Sequence, residues 1–324
     1  MNSPPINVKP SVGDEAIRAT NDDASSCKRF AIEKGYWIDP FLPSFIKSPE
    51  RKPPEINRGY FARVYSIKQL IDAFFKEVQG KAQIINLGAG FDTLFWRLKH
   101  EDIANISCFI DVDFPTVTSR KCHHIKNTPG LLQYLHDEDS EVQVSNSELH
   151  SHIYHIIAAD LRNVPEFETK INQCQLDYNL PTLILTECVL VYMKPSESNN
   201  LLKWMSAKLP TSVFINYEQV NMKDKFGEVM LSNLNSRGCG LPGIDSCASL
   251  KTQIERFTEN GWDSAKAWDM NDIYSRIPRK EIERIEKLEF LDERELLQQL
   301  FFHYCIAIGY RDSNNIGLSS ISIG

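Results

Sequence analysis

Residues 84–98, "IINLGAGFDTLFWRL", run an apolar strand into Gly88 and Gly90 and then into a helical pattern. A dinucleotide fingerprint would continue G-x-G-x-x-G/A, its third small residue letting the helix pack close to the strand beneath a pyrophosphate. Here that position is Thr93. A nucleoside triphosphate loop needs G-x-x-x-x-G-K-[ST], and both the lysine and the spacing are absent. Phosphate is therefore not the evident target, and a tight turn with no ligand stands as the alternative.

Working outward, short apolar or β-branched runs at 84–87, 108–112, 153–158, 183–186 and 213–217 alternate with helical patterns at 92–99, 114–125 and 196–208. Such alternation predicts a parallel sheet. Upstream, Val64, Ile67, Ile71 and Phe74 form a helical stripe that ends before Gly80. Downstream come a helix at 224–234, the loop "NSRGCGLPGIDSC", a helix at 250–260, and strands at 264–268 and 302–309 separated by charged helices. The expected fold is α/β: a doubly wound, mostly parallel seven-stranded sheet in one domain over 27–324. Lid elements are expected at 27–58 and 221–262, and a disordered tail over 1–26. The stretch 127–151 shows no clear period.

Composition fits a soluble globular chain: 42% of the 324 residues are hydrophobic and 24% charged. No run approaches the roughly 18 apolar residues of a membrane span, and the first residues carry neither a secretory nor a transit pattern. Eight cysteines without a C-x-x-C spacing fit a reducing compartment. A cytoplasmic protein without membrane attachment is expected. The net charge of −7 argues against a nucleic-acid partner, although 27–68 is locally basic and includes Lys28, Arg58 and Arg63.

In an open parallel sheet, ligands bind outside the carboxyl ends of the strands. The second run ends at Asp111 and Asp113, the third at Asp160 and the fourth at Glu187. Carboxylates gathered there suit ribose hydroxyls, an exocyclic amine, an ammonium or a sulfonium, and repel a polyphosphate. Asp113 lies 23 residues beyond Gly90, the range of a ribose-gripping acid. S-adenosylmethionine fits this donor list. Among His150, His152 and His155 no carboxylate or thiol completes a ligand set, so no metal is expected. Cys188 has no histidine placed beside it and reads as a structural thiol.

Longer words, "CKRFA", "PEINRGYFAR", "NLGAGFDTLFWRLK", "VDFP", "ADLR", "ECVLVYM", "FINYEQVNM" and "LEFLDE", run in order from Cys27 to the end. The chain in this respect resembles the leucine carboxyl methyltransferases, which methylate the C-terminal leucine of the protein phosphatase 2A catalytic subunit. The resemblance implies a class I methyltransferase fold with a helical lid, S-adenosylmethionine as cofactor with S-adenosylhomocysteine as product, the phosphatase catalytic subunit as partner, and a monomer. It places Lys28, Arg63, Gly88, Asp113, Asp160, Leu161 and Glu187 at the cofactor, beside Gly90 of the turn. It also implies catalytic roles for Arg63 and for Tyr192, the latter near the transferred methyl. Three alternatives remain: a transfer-RNA carboxyl methyltransferase relative, disfavoured by the absence of a repeat near 50 residues; a phosphatase-binding assembly factor without activity; and a nicotinamide-dependent dehydrogenase, disfavoured by Thr93.

Overall fold

The computed structural model describes residues 12–102, 105–136 and 141–324. The first half of the chain gives α1 (Val12–Glu33), α2 (Pro54–Val78), β1 (Ala82–Leu87), α3 (Leu94–Glu101), β2 (Ile106–Asp113), α4 (Pro115–Lys126) and α5 (Pro129–Leu132). There follow β3 (Gln143–Val144), β4 (Leu149–His150), β5 (Tyr154–Ala158), α6 (Val164–Ile171), β6 (Thr182–Glu187), α7 (Pro195–Lys208) and β7 (Thr211–Gln219). The remainder is α8 (Lys225–Ser236), α9 (Leu250–Thr258), β8 (Ser264–Asp269), α10 (Met270–Arg276), α11 (Arg279–Glu286), α12 (Arg294–Phe302) and β9 (Tyr304–Asp312).

One sheet runs β3-β4-β5-β2-β1-β6-β7-β9-β8. The pairs β5·β2, β2·β1, β1·β6 and β6·β7 are parallel, and β9 lies antiparallel between β7 and β8. Strand order reverses at β1, which has β2 on one side and β6 on the other, so a crevice opens beyond its carboxyl end.

Both faces of the central strands are covered, which explains their nearly continuous apolar runs. Ile84, Phe109, Ile156, Leu183 and Val213 point to one side, against Leu70, Ile71 and Phe74 of α2 and Phe95 and Trp96 of α3. Their neighbours Ile85, Ile110, Ile157, Ile184 and Phe214 point to the other, against Phe167 of α6, Leu201 and Met205 of α7 and Phe257 of α9. The period of two in each strand thus divides the core into two layers. Helix α2 starts with Pro54 at its first turn and stops where Gln79 turns left-handed, its N–H returning to the Phe75 carbonyl.

All seven expected strands are present, with four differences around them. The tail expected over 1–26 is helical from Val12, because the polar side chains of α1 find partners on the sheet edge; residues 1–11 lie outside the described residues. The stretch 127–151 supplies α5 and the short hairpin β3–β4, bringing the sheet to nine strands. The last strand begins at Tyr304, since Phe302 still ends α12, and extends to Asp312. Finally, the helix at 250–260 belongs to the core and not to a lid. Phe257 of α9 is fully buried against Phe214 and Trp262, and a Cβ on Gly309 would lie 2.4 Å from its ring. All eight cysteines are free. Among the described residues no helix is long and apolar enough to cross a membrane.

Candidate functional site

Beyond the carboxyl ends of β1, β2, β5 and β6 lies a cavity of about 1240 Å³, open mouth included. Lys28, Arg63, Gly88, Gly90, Asp113, Asp160, Leu161, Glu187 and Tyr192 all line it. Its floor is the glycine turn. Gly88 and Gly90 have φ of +63° and +50°, the left-handed region that a Cβ disfavours. Space forbids a side chain as well: a Cβ on Gly88 would sit 2.4 Å from Val189 Cγ2, and one on Gly90 2.4 Å from Asn21 Oδ1. Helix α1 therefore rests on the turn, and Asn21 Oδ1 accepts the Phe91 N–H at 2.8 Å.

Asp113 stands at the end of β2 with its carboxylate fixed by the Gly90 and Phe114 N–H groups, both at 2.7 Å. Burial pushes its pKa up to about 6, against the lowering effect of those two amides. Asp111, one pleat earlier, is a different case. The expectation that it serves the site is not met: β2 continues past it, and it is buried among Lys121 Nζ at 2.7 Å, the Tyr154 hydroxyl at 2.5 Å and Asn86 Nδ2 at 3.1 Å. Thr93, where a fingerprint glycine would stand, donates its hydroxyl to Asp39 Oδ2 at 2.5 Å, and Asp39 Oδ1 accepts the Phe41 and Leu42 N–H groups. The third position of the motif is thus spent on tying the 34–45 loop to the start of α3.

Glu187 ends β6 between two cations. Arg63 Nε of α2 donates to it, and Lys28 Nζ of α1 lies 3.3 Å from both oxygens. Burial alone would raise the Glu187 carboxyl, but Arg63 and Lys28 outweigh it and hold it below its ordinary value. The Arg63 guanidinium also stacks 4.4 Å from the Tyr217 ring centroid, an attraction of the ring face for the cation. Asp160 is held by Arg162, at 2.7 Å, and Arg162 also grips Asp14 of α1 at 3.0 Å. Leu161, between them in sequence, adds apolar surface.

Tyr192 sits on the 3₁₀ turn Leu190–Tyr192 that follows β6. That turn hangs from Glu218 of β7: Glu218 Oε1 accepts the Val191 N–H at 2.5 Å, and Oε2 pairs with Arg256 of α9 at 2.6 Å in full burial. Burial pushes the Tyr192 hydroxyl well up, so it is a neutral phenol at pH 7. Three contributors escape a reading of sequence alone: Asn21, Arg162 and Glu218. A signal for the first was present, since Arg18, Asn21, Ser25 and Lys28 recur at spacings of three, four and three and all line the cavity. That is a polar stripe of helical period, which a search for apolar periodicity passes over.

Residues 16–206 match the family described as leucine carboxyl methyltransferase. The chain is 50% identical over 313 residues to leucine carboxyl methyltransferase 1 of Rattus norvegicus, covering 95% of this chain and 94% of that protein. It is 38% identical over 303 residues to the leucine carboxyl methyltransferase 1 homolog of Arabidopsis thaliana, covering 93% and 91%. It is also 33% identical over 302 residues to tRNA wybutosine-synthesizing protein 4 of Rattus norvegicus, covering 91% of this chain but 44% of that one. With the sheet order, the glycine turn and these identities together, the chain belongs to the leucine carboxyl methyltransferase family.

Proposed function

We propose that the protein transfers a methyl group from S-adenosylmethionine to the α-carboxylate of the C-terminal leucine of the protein phosphatase 2A catalytic subunit, leaving a methyl ester that regulates phosphatase assembly. The observation that carries this reading is the convergence of the glycine turn, Asp113, Asp160 and Glu187 on one cavity in a chain of this family. The cavity's acceptors match a molecule with hydroxyls, an amine and an ammonium, and it lacks the lysine and loop spacing of a triphosphate site.

When bound, S-adenosylmethionine supplies a methyl group on a positively charged sulfur; the leucine carboxylate oxygen bonds to it as the S–C bond breaks and its electron pair stays on sulfur. No proton has to be removed, because a peptide α-carboxyl with a pKa near ~3.5 is already ionised at neutral pH. The chain's task is to aim the two groups in line, a contribution worth about 7–11 kcal/mol in favourable intramolecular systems. Asp113, fixed by two backbone amides, keeps acceptor capacity for ribose hydroxyls. Asp160 and Leu161 take the adenine edge. Glu187 receives the ammonium while Arg63 and Lys28, already beside it, take the methionine carboxylate. Tyr192, as a neutral phenol, orients the substrate carboxylate without cancelling its charge. Cys188 stays outside the chemistry, since burial pushes its thiol up to about 12.

The test is incubation with methyl-labelled S-adenosylmethionine and the phosphatase catalytic subunit, with and without its terminal leucine. Label that requires the leucine and is released by mild base is expected. Label on both forms, or none while cofactor binding is intact, overturns the acceptor assignment.

A further inference from the structure

The hairpin formed by β4 and β5 holds a cluster that the methyl-transfer site does not use. His150 of β4 and His155 of β5 are direct antiparallel register partners, so their side chains share one face. Their Nδ1 atoms are 3.1 Å apart. On that face β5 meets the layer that contains Cys174, which follows α6 at Asn172–Cys174. One ligand atom from each of His150, His155 and Cys174 lies within 4.8 Å of the others. His155 lies near the start of β5, whereas the cavity takes Asp160 from beyond its far end, so the cluster sits at the opposite edge of the sheet from the cavity floor.

We infer that His150, His155 and Cys174 form a zinc site that pins the edge hairpin to the segment after α6. Two imidazoles and a thiol are a donor set suited to zinc, and three protein ligands leave one position for water. A second observation points to a ligand. His155 is 2% exposed, and among the described residues its Nε2 has no hydrogen-bond partner, a state that buried ring nitrogens avoid. With the two Nδ1 atoms paired, one as donor and the other as acceptor, the His155 ring nitrogen left for a cation is Nε2.

Tetrahedral zinc sets its N and S ligands roughly 3.3–3.8 Å apart, from bond lengths near 2.0–2.3 Å, so the cluster must close by about an ångström. His150, half-buried, leaves an entry path. Around the set, the Cys108 thiol donates to the Cys174 carbonyl at 3.4 Å, and Glu148 pairs with Lys170 at 2.6 Å. Binding converts Cys174–SH to a zinc-bound thiolate and releases one proton to solvent. Affinity accordingly falls as pH is lowered.

The experiment titrates chelator-treated full-length protein with Co²⁺, whose thiolate charge-transfer absorption reports a cysteine ligand, and then with Zn²⁺. One saturable equivalent, displaced by zinc and absent from Cys174→Ser and His150→Ala, is expected. Zinc is also expected to raise the melting temperature of the parent and not that of His150→Ala, a half-exposed position whose metal-free melting checks its fold. No saturable band in the parent overturns the assignment, as does an unchanged band with unchanged zinc stabilisation in His150→Ala. None of these readouts involves methyl transfer, so their outcome is independent of the proposed activity.

Discussion

Gly88→Ala separates the two demands that the floor of the cavity makes. The first is conformational: φ of +63° costs a residue with a Cβ about 1–2 kcal/mol. The second is steric: the new Cβ lies 2.4 Å from Val189 Cγ2 where ordinary contact begins near 3.4 Å, so Val189 must retreat by about 1 Å, an overpacking that costs about 1–3 kcal/mol. Together they amount to about 2–5 kcal/mol. With an unfolding entropy of about 2.1 cal/mol/K per residue, that lowers the melting temperature of a chain this long by roughly 3–7 °C. Val189 leads directly into the turn that carries Tyr192, so the retreat also displaces the site. Calorimetric titration with S-adenosylhomocysteine is expected to show binding weakened by about tenfold or more, one decade per 1.4 kcal/mol. Adding Val189→Ala removes the overlap and leaves the strain, so the double variant regains part of both losses relative to Val189→Ala alone. A single variant that binds within about twofold of the parent and melts with it would refute the reasoning, as would a double variant no better than Gly88→Ala.

Arg256→Met leaves Glu218 buried without its cation and is expected to cost about 3–5 kcal/mol in denaturant unfolding, while Glu218→Gln/Arg256→Met recovers most of that; a single-variant loss under about 1 kcal/mol would contradict it. Arg63→Ala is expected to keep its fold and lose about 10–100-fold in turnover, the worth of one charged hydrogen bond of about 1.5–3 kcal/mol, and full activity in a folded variant removes Arg63 from the site. Asp113 has a folded pKa of about 6, raised from an ordinary 3.8 by burial, so its stabilising contribution is present below pH 4 and disappears as pH rises through 6. Melting curves should therefore show Asp113→Asn gaining on the parent between about pH 4 and 6, and a difference independent of pH would argue against the shift.

The strands were legible because each is a short apolar run between turn signals, and a sheet covered on both faces needs little more information than that. Acids at strand ends were legible by type but not by depth. Asp113 and Asp111 occupy the same face of β2, yet only the position of the strand's last residue, together with Lys121 ten residues on, decides that one lines the cavity and the other is locked inside. Helix α1 was invisible to a reading based on apolar period, because its stability comes from tertiary ion pairs and from Asn21, which no local pattern records. The helix at 250–260 was legible as a helix but not as a core element. Its assignment depends on Gly309, some fifty residues later, lacking the Cβ that would keep Phe257 away.

Helix α1, resting on the glycine turn through Asn21, also bears on how a molecule would exchange with the cavity. Were a molecule seated between the glycine turn and α1 to exchange by undocking of that helix, a faster undocking at an unchanged docking equilibrium would speed arrival and departure together. Asp22 with Arg120 and Asp23 with Arg237 are half-exposed tethers of α1, surface pairs that added salt weakens. A dwell time set in that way would respond to ionic strength through residues that touch nothing bound there.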